Sequence, residues 1–134
     1  KFLAGRLRRL TLYAEQMGFL QAPIDVKKQD GSVERTLPSR LEQYREAGRK
    51  APLPDLPDGA DYLVNAFFAL RPTRPLAMGG IRAADWPEIA PFMQATKSIS
   101  DAWEAETLHS MCSAFCDGFH AGQNSFGISP MERG

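Results

Sequence analysis

His109, Cys112, Cys116 and His120 are the residues whose types and spacing could do chemistry. Imidazole and thiolate are zinc ligands, and a cysteine near a histidine is the start of a nucleophilic pair. Offsets of three and four residues place all of them near one side of a helix. One helix cannot converge all four on a single ion: residues 109 and 120 lie about 16 Å apart along the axis, whereas a ligand atom sits about 2 Å from zinc. Two of them could act only with ligands from another chain, so thiols in apolar surroundings and surface histidines are the simpler expectation. A Cys-His hydrolase needs an activated thiol, an oxyanion hole and a pocket, none of which sequence proximity supplies. Glu104 and Asp117 are too isolated to form a general acid-base pair. Gly79-Gly80 lacks the Lys-Ser/Thr ending and the full glycine spacing of a phosphate loop, so a turn is expected there. No catalytic residue, metal or cofactor is therefore expected, and a structural or binding protein is the stronger class.

The elements that would position such residues are mostly helical. Leu3, Leu7, Leu10, Ala14 and Met17 alternate spacings of four and three, which predicts an amphipathic helix from Phe2 to Gly18. Asp58 to Leu70 is the most apolar stretch and is expected to form a central helix, with Asp58 capping its start and Arg71-Pro72 ending it. Asp85-Trp86-Pro87-Glu88 predicts a capping box opening a helix through Thr96. A last helix begins at Ser100 and runs towards Gly118 or Phe119, with Asp101, Glu104 and Glu106 at its electropositive end. Ile24, Val26, Asp30-Gly31, Val33 and Leu37 predict a two-stranded ribbon or an exposed loop. A short charged helix is expected from Ser39 to Gly48, then a stiff extended connector over 51–58 that lays Leu53 and Leu56 on a neighbouring surface. Residues 71–80 read as an irregular crossing. The expected fold is thus mainly α: a compact helical domain with an irregular segment or small β-ribbon near its N-terminal third. Residues 1–50 and 51–134 are expected to form one cooperative unit.

Composition agrees. A chain of 134 residues suits one domain, and no apolar run approaches the roughly 20 residues needed to span a bilayer. The chain opens on Lys1 and shows no signal-peptide pattern. Net charge is zero, yet residues 1–50 carry eleven Lys and Arg against six Asp and Glu, and residues 51–134 carry five against ten. Such asymmetry could help the halves dock or steer a partner, but three arginines on the first helix without a reading motif do not point to nucleic acid. Cys112 and Cys116 stand four apart on a helix, an awkward geometry for a disulfide, so free thiols in a reducing compartment are expected.

Leu56-Pro57-Asp58-Gly59-Ala60-Asp61-Tyr62-Leu63, the pair Phe67-Phe68, Trp86-x-Glu88-Ile89, and Ile99 followed by Trp103-Glu104 together resemble the C-terminal region of tail assembly chaperones from long-tailed bacteriophages and prophages. These features span roughly residues 53–119. The resemblance implies a noncatalytic assembly factor in the host cytoplasm that binds the tape-measure protein, tail-tube subunits or both. A minor tail or connector protein retained in the virion is the alternative. Homo-oligomerisation stays open; neither nucleic acid nor a membrane is an expected partner. Surfaces for such a role would come from the first helix through Leu3, Leu7, Leu10 and Met17. Further candidates are Phe67, Phe68, Trp86, Phe92 and Trp103, although the same side chains could equally close the core.

Overall fold

The computed structural model describes residues 2–133, with side chains from residue 4 onward. The order is α1 (Phe2–Gln21), β1 (Ile24–Lys27), β2 (Val33–Leu37), α2 (Arg40–Glu46), α3 (Asp61–Leu70), β3 (Thr73–Pro75), β4 (Ile81–Ala83), α4 (Trp86–Thr96) and α5 (Ala102–Gln123), with a final 3-10 turn at Pro130–Glu132. The molecule is mainly α. None of its described helices is long and apolar enough to cross a membrane.

Its frame is the pair α1 and α5, not the apolar helix α3. Both run past the glycines where the sequence suggested they would stop, and those glycines are the reason they touch. A methyl group at Gly18 would collide with the Phe115 carbonyl, one at Gly118 with the Glu15 carbonyl, and one at Gly122 with the Phe19 carbonyl. Only hydrogen side chains let the two backbones approach so closely. Because residues 15–19 face 115–122, while Leu7 and Leu10 face Trp103, Thr107 and Ser110, the two helices run parallel. So does α3, whose Tyr62 meets Glu104 near the start of α5 and whose Phe67 meets Phe115 edge-on at 5.9 Å further along.

Parallel neighbours need long return paths, and the intervening segments supply them. The first return contains the ribbon β1–β2, paired antiparallel from Ile24↔Leu37 to Lys27↔Val33. Its turn is held by the Asp30 carboxylate, which accepts from the Ser32 N–H and hydroxyl, with Gly31 at φ 88°. Beyond α2, the proline-rich connector runs extended and packs Leu53 and Leu56 against the core. Gln16, 1% exposed, donates to the Pro52 carbonyl and accepts from the Ser129 hydroxyl, so one buried amide holds the connector and the C-terminal segment against α1.

Two expectations are corrected here. Asp58 does not cap α3; the helix starts at Asp61 after Ala60, with no side-chain cap, and the Asp58 carbonyl instead accepts from Arg6 Nη2 at 2.7 Å. Residues 71–80 are not an irregular crossing but belong to a second hairpin, β3–β4, with Thr73↔Ala83 and Pro75↔Ile81 in register. Strands of three residues, one ending in proline, carry too little alternation to be seen beforehand. Arg74 secures this hairpin by donating to the carbonyls of Leu70 and Arg71, closing the exposed end of α3.

Candidate partner-binding cleft

α1 and α5 touch backbone to backbone at the glycines, and an open cleft of about 250 Å³ lies between them nearer their N-terminal ends. Leu10 from α1 and Leu63 from α3 give it an apolar floor, and Leu7 and Trp103 stand at its mouth. Leu7 is 38% exposed and Trp103 42%, whereas Leu10 and Leu63 are buried. Glu106, Thr107 and Ser110 form the α5 wall. With Trp103 they follow the i, i+3, i+4, i+7 spacing of one helical face, a signal present in the sequence alongside the first-turn acids.

Local hydrogen bonds fix the start of α5 beside the cleft. The Glu104 side chain accepts from the Ser100 and Asp101 N–H groups at 3.0 and 2.9 Å, completing the capping box of α5. Burial pushes its carboxyl up, but the Tyr62 hydroxyl and those two N–H groups outweigh it, and the net direction is down. Tyr62 in turn is pushed up to about 12, first by burial and then by donating to that carboxylate. α3 and α5 are thereby pinned together beside the cleft.

The surface residues proposed from sequence are dispersed over the molecule. The side chain of Leu3 lies outside the described residues. Leu7, Leu10 and Trp103 meet at the cleft. Met17 and Phe67 belong to the buried core, Leu10 is itself 2% exposed, and Phe92 is half-buried against that core. Phe68 and Trp86 are exposed elsewhere. Trp86 stacks on His109 with ring centroids 4.6 Å apart and planes 6° from parallel, and His109 Nε2 lies 2.9 Å from Asp85 Oδ1. The Trp86 ring thus covers an α5 histidine.

The four residues with ligand or nucleophile chemistry are dispersed. Cys112 and Cys116 are buried free thiols, His109 is engaged by Asp85 and Trp86, and His120 is exposed near the end of α5. Among the described residues no three His, Cys, Asp or Glu side chains are grouped to hold a metal ion. A second hollow, about 540 Å³, lies where β1 meets the end of α5, lined by Asp25, Lys27, His120 and the exposed Phe126. Its walls mix charged ribbon side chains with a terminal loop, without the apolar floor of the α1–α5 cleft. No family model, curated protein or solved structure matches this chain.

Proposed function

We propose that this protein is a noncovalent assembly factor of the phage tail chaperone type, acting in the host cytoplasm on the tape-measure protein, tail-tube subunits or both. The observation that carries the proposal is the cleft: an apolar floor left open between α1 and α5, with Leu7 and Trp103 at its mouth. Large apolar side chains around a concave site are what a protein-binding surface requires. The stretch 56–63 and the words Trp86-x-Glu88-Ile89 and Trp103-Glu104 support the tail-assembly assignment through their resemblance. Several of these residues have definite structural work: Asp85 and Glu88 form a capping box on α4, and Glu104 forms one on α5.

Affinity capture of the tagged chain during tail assembly, followed by analysis of finished particles, tests the proposal. Tape-measure protein or tube subunits are expected in the captured fraction, and this chain is expected to be missing from completed virions. Stoichiometric retention in particles would instead identify a structural tail component. Failure to associate with any tail protein would overturn both.

A further inference from the structure

We propose that the α1–α5 cleft receives a helix from a protein partner, which inserts one large apolar side chain and sets a lysine or arginine against Glu106. This rests on the protein-binding role above and adds the partner's chemistry.

A volume of about 250 Å³ accommodates one large apolar side chain from a partner. Shape argues for a helix: the lining residues 4–10 of α1 and 103–110 of α5 each span about two helical turns, so the cleft is an elongated groove of the kind an amphipathic helix fills. Charge fixes its orientation. The α5 wall offers the exposed carboxylate of Glu106, one turn from Trp103, whose half-exposed ring can also take a cation on its face. The α1 wall carries Arg6, whose guanidinium donates to the Asp58 carbonyl at 2.7 Å. A cleft with an acidic side on α5 and a basic side on α1 selects a partner whose cation lies over α5.

The test uses the purified chain, isotope-labelled for NMR, and three synthetic amphipathic helical peptides. The first has a leucine anchor and a lysine four residues away, the second replaces that lysine by glutamate, and the third replaces the leucine by alanine. Shift changes are expected at Leu7, Leu63, Trp103 and Glu106, with at least about tenfold weaker binding of the second and third peptides, a difference of about 1.4 kcal/mol. Trp103→Ala should weaken the first peptide similarly, and Glu106→Lys should reverse the preference between the first and second. Both positions are exposed, so retained amide spectra will show that the fold is intact. Equal affinity for the lysine and glutamate peptides, shifts centred on β2 or the β3–β4 hairpin, no binding at all, or a homodimer that closes the cleft would each overturn the proposal. Tail-protein capture unaffected by either variant would sink the cleft and leave the assembly role standing. Peptide binding at the cleft without capture of any tail protein would do the reverse.

Discussion

Cys112 is fully buried, and burial pushes its thiol up to about 12; burial and the neighbouring Asp117 charge also push Cys116 up. The thiolate is the reactive form, so neither cysteine should react with an aromatic disulfide reagent at neutral pH while the chain is folded. Two equivalents should titrate in denaturant; rapid native-state labelling would contradict the packing of α5. Glu88 shows the opposite shift. Its carboxyl is pulled down to about 2, first by the Arg82 guanidinium, whose two nitrogens donate at 2.9 and 3.2 Å, and then by the Asp85 N–H. A folded-state value below the ordinary 4.5 means that this site contributes stability above pH 4.5 which is lost as pH falls through that value towards 2. Thermal melts across that range should therefore fall more steeply for the native chain than for Glu88→Gln, and parallel curves would remove the carboxylate from the account.

Among the elements, α2 depends most on its attachments. Seven residues are too few for a helix to persist by itself, and this one buries none of them. Ser39 caps it by accepting from the Glu42 N–H at 3.2 Å. Arg40 then ties it to the far end of α5, donating to the carbonyls of Gly122 and Asn124 at 2.6 and 3.1 Å while its guanidinium lies 4.0 Å from the Phe19 ring centre. Ser39→Ala should cost about 1 kcal/mol, and Arg40→Ala about 2 kcal/mol through its charged hydrogen bonds. Arg40→Lys should recover little, because an ammonium cannot span both carbonyls and stack as a planar fork does. Urea midpoints of the three variants will rank these effects, and full rescue by lysine would reduce the role of Arg40 to its charge.

At the scale of the molecule, everything hangs on the contact between α1 and α5. Gly118→Ala forces a methyl into the Glu15 carbonyl and should destabilise the fold by about 3 kcal/mol, as overpacking does. Gly5 lies in the same pair of helices, but nothing stands within 4 Å of the space its methyl would take. Gly5→Ala should stabilise by up to about 1 kcal/mol, since only helix propensity changes there. Opposite signs for two identical substitutions, read from denaturation curves, would establish close backbone contact as the organising feature; a neutral Gly118→Ala would refute it.

Periodicity and capping residues were enough to place most of the chain's local structure. The helical face through Leu7 and Leu10, the Asp30-Gly31 ribbon turn, the Asp85–Glu88 box and the packed connector leucines all follow from interactions within a few residues or from simple apolar spacing. Where helices end and which of them form the frame did not follow. Gly18, Gly118 and Gly122 look like stop signals locally, and only a neighbouring backbone turns a missing side chain into a contact. The cleft was hidden for the same reason: Leu7, Leu63 and Trp103 come from three helices whose parallel alignment is set by long-range packing, and no spacing within one segment encodes it.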